Sequence, residues 1–300
     1  MYDIIIVGAG PAGLTAALYA RRANKSVLVL DKGTFGGQVT FSPLIENYPG
    51  YVSMSGNEFA DKLVEQVIAQ GADIDMKTVT GIKDCGDFKQ VITSSGTLEA
   101  KAVIIANGVK HRKTGIANEN NLVGNGISYC AVCDGAFFRN KKVAVLGGGN
   151  SALQEAVLLS ENCSEVIIIQ NLSFLTGEDK LIAKVNDRAN ISVITDTVLD
   201  DIIGESELES LKLKNVNTGE ISTLAVDGLF VAIGLEADNE AFASVAELDG
   251  NGYFNTDETC ITKTPGVFTA GDCRKKTIRQ ITTAAADGAC AALAACRYLD

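Results

Sequence analysis

The chain has 300 residues, 46% hydrophobic and 21% charged, which is globular rather than disordered or fibrous and long enough for two domains. A formal charge of −11 argues against nucleic acid as a partner, because an acidic surface repels phosphate backbones. No apolar run approaches the roughly 20 residues of a membrane span, and the Met1-Tyr2-Asp3 start carries no basic leader, so a cytoplasmic protein with no membrane partner is expected.

The chain opens on an apolar strand pattern, Asp3–Val7, then a glycine turn, a helix over Pro11–Arg22 and a second strand over Ser26–Leu30, together a βαβ unit. Gly8-Ala9-Gly10-Pro11-Ala12-Gly13 fits G-x-G-x-x-G between strand and helix, where it has mechanical meaning. Its glycines let backbone approach a pyrophosphate, and the helix start supplies unpaired N–H groups. Asp31 ends the second strand, where a carboxylate can take ribose hydroxyls. These features suit FAD and NAD alike. Lys77–Ala100 then reads as short alternating strands with turns at Cys85-Gly86-Asp87 and Ser94-Ser95-Gly96, and Lys101–Ala106 as a buried strand.

Cys130-Ala131-Val132-Cys133-Asp134-Gly135 comes next. A Cys-x-x-Cys pair closes a small reducible disulfide, and in a cytoplasmic protein it is redox-active or metal-binding. A structural zinc site needs four ligands, and the chain offers one histidine, His111, and otherwise isolated cysteines, so no metal is expected. The other six cysteines read as packed residues. Asp134 suits general acid/base work beside the thiols, or capping of a helix from Gly135, and the two roles are compatible.

The βαβ pattern then recurs: strand Lys142–Leu146, turn Gly147–Gly149, helix Ser151–Ser160, strand Glu165–Ile169. Short strands fill Ile191–Val231. The chain closes with a strand over Gly266–Ala270, the turn Gly271-Asp272, and a helix over Arg279–Tyr298 whose small residues permit close packing. Gly271-Asp272 is either a second contact with a long cofactor or an ordinary turn.

Gly8–Gly13, Cys130–Asp134, Gly147–Ala152 and Thr269–Asp272, in this order, together with Gly36-Gly37-Gln38, Glu46-Asn47-Tyr48-Pro49-Gly50 and Arg279-Gln280, resemble the bacterial low-molecular-weight thioredoxin reductase family nearly end to end. The resemblance implies an α/β fold of two Rossmann-like domains of the three-layer ββα type, the second inserted into the first. An FAD domain would span 1–113 and 243–300, with an inserted NAD(P)H-like domain over 114–242. It implies FAD contacts from Gly8, Gly10, Pro11, Ala12, Gly13, Asp31, Lys32, Gly37, Gln38, Asn47, Gly271, Asp272, Arg279 and Gln280. It also implies that Cys133 takes electrons from the flavin, that Cys130 attacks the thioredoxin disulfide, and that the protein is a homodimer.

The second nucleotide motif departs from the family pattern. NADPH-dependent members end the second strand in a basic cluster for the 2′-phosphate, whereas this chain reads Gln170-Asn171-Leu172-Ser173-Phe174-Leu175-Thr176-Gly177-Glu178, with no cation until Lys180. An NAD site would want Asp or Glu in place of Gln170. Farther on, the family's Gly-x-x-Pro-Asn becomes Gly234-Leu235-Glu236-Ala237-Asp238-Asn239. Two such departures in one domain imply a fold kept while nicotinamide binding is lost, and in lacking the basic motif the chain resembles the ferredoxin-dependent flavin thioredoxin reductases, so reduced ferredoxin is the expected donor. The basic groups Lys110–Lys113, Arg139–Lys142 and Arg274–Lys276 with Arg279 are candidates for its docking, or are solvated surface, and His111 is expected to be a surface or linker residue. Two other readings stay open: an NAD(P)H-dependent reductase using Gln170 or Asn171 at the ribose, and a flavin/dithiol redox sensor without turnover.

Overall fold

The computed structural model describes residues 1–42 and 44–300. The chain forms two compact units. One holds Met1–Thr40, Leu44–Lys110 and Ala237–Asp300, and the other His111–Glu236 with 41–42. These divisions precede the expected 113 and 242. Asn239 explains the second shift: 1% exposed, it donates to the carbonyls of Gly252 and Cys273 and accepts from Asn107, all in the first unit.

In the first unit β1 (Tyr2–Val7), α1 (Pro11–Arg22) and β2 (Val27–Asp31) make the expected βαβ, with β1 and β2 parallel. The next element, α2 (Gly56–Ala69), places Phe59, Leu63, Val64 and Val67 at helical spacing. Ser55 caps it by accepting the Glu58 N–H at 3.1 Å. Then come β3 (Asp73–Met76), β4 (Val79–Asp84), β5 (Lys89–Thr93) and β6 (Gly96–Ile105).

The sequence suggests a break near residue 100, but β6 is one strand of 10 residues. Its first half pairs antiparallel with β5 and its second half runs parallel to β1. One strand thus joins the antiparallel β4–β5 ribbon to the parallel sheet. Alternation decides the layers: Ile4, Ile6, Val27, Val29, Ala102 and Ile104 face the helices, while Ile5, Val7, Leu28, Leu30, Val103 and Ile105 face the opposite layer with Val91 and Phe254.

The strand β7 (Val109–His111) leads into the second unit, which begins with α3 (Glu119–Leu122), β8 (Ile127–Ser128) and α4 (Ala131–Asp134). The repeated motif follows as β9 (Lys142–Leu146), α5 (Asn150–Ser160) and β10 (Glu165–Ile169). Next are α6 (Asp179–Asn186), β11 (Ile191–Ile194), β12 (Thr197–Ile203), β13 (Ser210–Asn215), β14 (Ile221–Ala225), β15 (Gly228–Val231) and β16 (Leu235–Ala237). The parallel sheet has the order β11-β10-β9-β15-β8, and β12-β13-β14 form an antiparallel layer.

The chain returns to the first unit for β17 (Val267–Thr269), parallel to β6, and α7 (Ile281–Leu299). The small residues of α7 do what their composition suggests. A Cβ on Gly288 would lie 2.1 Å from the Ala12 carbonyl oxygen, so α7 meets the start of α1 at backbone distance. Among the described residues no helix is long and apolar enough to cross a membrane.

Candidate active site

Cys130 and Cys133 are disulfide-bonded across α4, with Cα atoms 5.3 Å apart. Cys130 stands at the helix N-cap, where its Sγ accepts the Cys133 N–H at 3.0 Å. A hydrogen bond of this kind favours the thiolate over the thiol once the pair is reduced. Cys130 is 6% exposed, whereas Cys133 is exposed. Ser128 braces the turn by accepting the Cys130 N–H at 3.0 Å and donating to the Asp134 carboxylate at 2.6 Å. Asp134 makes no side-chain cap to the 3-10 turn at Gly135, so of its two expected roles capping is not realised.

The residue before the pair is anchored as well. Tyr129 donates to Glu119 at 2.6 Å, and Glu119, 1% exposed, also accepts from Thr114 N and Oγ1 and from Gly115 N. Burial first, then the Glu119 carboxylate, pushes the Tyr129 hydroxyl above the usual tyrosine range. The Tyr129 ring centroid lies 5.7 Å from that of His111, whose other neighbour is Phe41 at 5.4 Å. His111, which opens the main segment of the second unit and so stands at the expected linker position, is a packed ring rather than a surface histidine, and burial lowers its pKa. Neither Glu119 nor Tyr129 stood out in the sequence, because one carboxylate and one tyrosine at this spacing match no motif.

The expected flavin residues all lie in the first unit. Gly8 has φ +106° and its Cβ would lie 2.2 Å from the Ala106 carbonyl oxygen, so the turn admits no side chain there; at Gly10 the nearest atom would be 3.8 Å away, leaving the approach open. Pro11, Ala12 and Gly13 begin α1. Asp31 accepts from Ala9 N at 2.7 Å and Gly33 N at 2.9 Å, holding the glycine turn with one lone pair left on each oxygen. Lys32 is turned to an ion pair with Asp238 at 3.2 Å.

Gly37 opens a short 3-10 turn, and Gln38 donates to the Val109 carbonyl at 3.3 Å. Asn47 and Gln280, far apart in sequence, meet at 3.3 Å. Gly271 packs against Ala12, which brings Asp272 to the start of α1. Asp272 Oδ1 is buried with no partner among the described residues, and burial raises its pKa against the lowering pull of Lys276 and Arg279. A buried acceptor without a donor beside an open glycine turn fits a hydroxyl-rich dinucleotide such as FAD.

Three residues that composition hid support this turn. Arg274 and Lys276, expected as docking cations, are 2% and 7% exposed and both pair with Asp287 of α7, at 2.7 Å and 2.8 Å. This removes two of the three cations of the Arg274–Lys276 group from any docking surface; only Lys275 is exposed. An aspartate on the otherwise small apolar face of Ala284, Gly288 and Ala291 was the signal available.

In the second unit a cleft of about 640 Å³ opens at the repeated glycine turn, lined by Gly147–Gly149, Gln170, Asn171, Leu172, Thr176, Thr197 and Arg112. Gln170 is 4% exposed and spent on local bonds, donating to the Phe174 carbonyl and accepting the Asn171 N–H. Arg112 is the one charged residue lining the cleft among those described. Its backbone bonds to Gly234 beyond the end of β15, and β9 separates β15 from β10. Its backbone thus belongs to the β15 side of the sheet, and the segment after β10, where a ribose 2′ substituent is recognised, carries no cation from Asn171 to Glu178.

Glu155 on α5 is buried, with Oε2 unpartnered among the described residues, and burial raises its pKa from 4.5 to about 8. A carboxyl held neutral in the fold binds its proton more tightly there than in the unfolded chain. Its contribution is complete below about pH 4.5 and is lost as the pH rises through about 8. Glu155→Gln is therefore expected to flatten the decline in thermal stability over that window. An unchanged slope in melting curves across the range would refute this.

The chain matches the family model for pyridine nucleotide-disulphide oxidoreductases over residues 2–288. It is 42% identical over 300 residues to a thioredoxin reductase of Treponema pallidum, covering 100% of this chain and 97% of that protein. Its fold matches the crystal structure of Lactococcus lactis thioredoxin reductase with a TM-score of 0.96 at 40% identity, covering 100% and 99% of the two chains. A ferredoxin-flavin thioredoxin reductase from Clostridium acetobutylicum is a more distant match, with a TM-score of 0.54 at 30% identity and coverage of 99% and 98%. With a reducible dithiol in one nucleotide-type fold and an FAD-compatible glycine turn in the other, this chain belongs to the thioredoxin reductase family of pyridine nucleotide-disulphide oxidoreductases, whose members are FAD-binding flavoproteins.

Proposed function

We propose that this chain reduces thioredoxin through Cys130 and Cys133, and that its FAD is reduced by a ferredoxin-type iron–sulfur protein rather than by NADPH. The observation that carries the donor assignment is the end of β10, where Gln170 is buried and bonded to its own loop and no cation stands within Asn171–Glu178. The weight of overall similarity runs the other way, since the ferredoxin-flavin enzyme is the more distant match. The residues that follow β10, rather than overall similarity, carry the assignment.

FAD, when bound, supplies chemistry that accepts electrons singly and delivers them as a pair. The protein's own part begins at the Cys130–Cys133 bond, which breaks on gaining two electrons and two protons. The Cys133 N–H stabilises the Cys130 thiolate, which attacks one sulfur of the thioredoxin disulfide while the other leaves as a thiolate. Asp134, held by Ser128, is placed to take the Cys130 proton as that thiolate forms and to return it to the leaving sulfur. Cys133 then attacks Cys130 in the mixed disulfide, re-forming the internal bond and releasing dithiol thioredoxin. Because Cys130 is covered and Cys133 exposed, Cys130 must be uncovered before this attack. A homodimeric assembly belongs to the same proposal.

A second reading has its own support. The glycine turn and the 640 Å³ cleft leave room for a nicotinamide dinucleotide without a 2′-phosphate, with Asn171 at the ribose. One experiment separates the donors. Under anaerobic conditions the oxidised protein is mixed with reduced ferredoxin, NADPH or NADH, and the loss of flavin absorbance is followed. Fast bleaching by ferredoxin alone is expected. Fast bleaching by NADPH overturns the proposal, and fast bleaching by NADH alone selects the second reading.

A further inference from the structure

We propose that Asp287 is a positioning residue of the flavin site, locking the Gly271–Arg274 turn through Arg274 and Lys276 so that Asp272 is presented to the cofactor. The inference rests on Asp272 holding FAD and adds a residue that no motif marks.

The turn is bound at several of its peptide groups. Asp287 Oδ2 accepts the Gly271 N–H at 3.0 Å, Arg279 donates to the Asp272 carbonyl at 3.2 Å, and Asn239 donates to the Cys273 carbonyl at 2.8 Å. Arg279 also reaches the Arg274 carbonyl at 3.4 Å, with its guanidinium 4.1 Å from the Tyr253 ring centroid. Asp287 in turn is gripped by Arg274 through Nε and a second nitrogen, each at 2.7 Å, and by Lys276 at 2.8 Å. Arg274 reaches out to Glu258 at 3.2 Å. Amid these bonds the Asp272 Oδ1 is buried and unmet among the described residues.

Stability by itself gives little reason for such a cluster. Two buried cations facing one buried carboxylate carry desolvation costs that apolar residues of similar size would avoid. What apolar residues cannot supply is direction. The two-pronged Arg274 contact and the Gly271 bond fix one orientation of a turn that a Gly-Asp sequence leaves free. The same charges face Asp272: Lys276 and Arg279 favour its ionised form, while burial and Asp287 oppose it. Asp287 thus fixes the place of the carboxylate at the cofactor, while burial first and the neighbouring cations next bear on its charge.

The test uses full-length protein in four forms, wild type, Asp287→Asn, Asp272→Ala and Lys89→Met. Lys89 is a buried cation of the same unit, paired with Asp84 at 2.9 Å, and serves as a control for destabilisation elsewhere. FAD affinity is read by fluorescence on reconstitution, and the flavin midpoint potential by anaerobic titration. Asp287→Asn is expected to weaken FAD about tenfold, the scale of one lost charge-assisted hydrogen bond, and to shift the potential. Lys89→Met is expected to lower the melting temperature and leave both readouts unmoved. The inference is overturned if Asp287→Asn behaves like Lys89→Met. Should Asp287→Asn fail to fold, Lys276→Met decides, because wild-type affinity and potential in that variant also overturn it. If Asp272→Ala binds FAD as tightly as wild type, the underlying assignment of Asp272 fails instead.

Discussion

Serine in place of either cysteine is expected to remove multi-turnover reduction of thioredoxin, by roughly 10⁴-fold or more, because each sulfur is a nucleophile in one half of the exchange. The two variants should fail differently. In Cys133→Ser the Cys130 thiolate keeps its N–H donor, since serine retains the backbone amide, so a mixed disulfide with thioredoxin forms and persists without its resolving thiol. In Cys130→Ser the sulfur proposed to attack is gone and no such adduct accumulates. Mass spectrometry of non-reduced mixtures distinguishes the two. Because Cys133 is the exposed sulfur, trapping by Cys130→Ser and not by Cys133→Ser would reverse the assignment. Many turnovers by the wild type would remove the sensor reading, and loss of turnover with flavin reduction intact in both variants would locate the defect at the dithiol.

The double substitution Asn171→Arg with Leu172→Arg is expected to create NADPH-driven flavin reduction, with preference over NADH increased at least about tenfold. Both positions line the cleft just beyond β10, and Leu172 is 41% exposed, so the change falls on surface that tolerates it. Two guanidiniums there would give a 2′-phosphate the paired planar donors it lacks. Steady bleaching under NADPH and NADH measures the result. If no preference for NADPH appears, the missing cations are not what separates this chain from NADPH, and the buried Gln170, filling the space above Gly148, becomes the better explanation.

Local chemistry made the repeated strand–glycine–helix pattern legible, and β9 and β10 each begin one residue before their apolar runs and end with them, as expected. The same holds for α1, between a proline at its first turn and Ala23 after it. Where a strand changes partner, as β6 does, local pattern misleads, because one continuous backbone serves two pairings that hydrophobic alternation does not separate. The misread cations have a similar origin. Arg274-Lys275-Lys276 looks like a solvated run, and only the arrival of Asp287 from α7 takes two of its three charges inside.

The reactive pair was legible from its residues alone, since a Cys-x-x-Cys spacing is closed by its own short helix and needs nothing distant to form a disulfide. So were the glycine turns, which follow from backbone that admits no side chain. The folded arrangement was needed to show which sulfur is covered, where Arg112 stands, and which oxygen of Asp272 has no donor among the described residues. Exposure and hydrogen-bond satisfaction are sums over neighbours distant in sequence, and no local pattern carries that information.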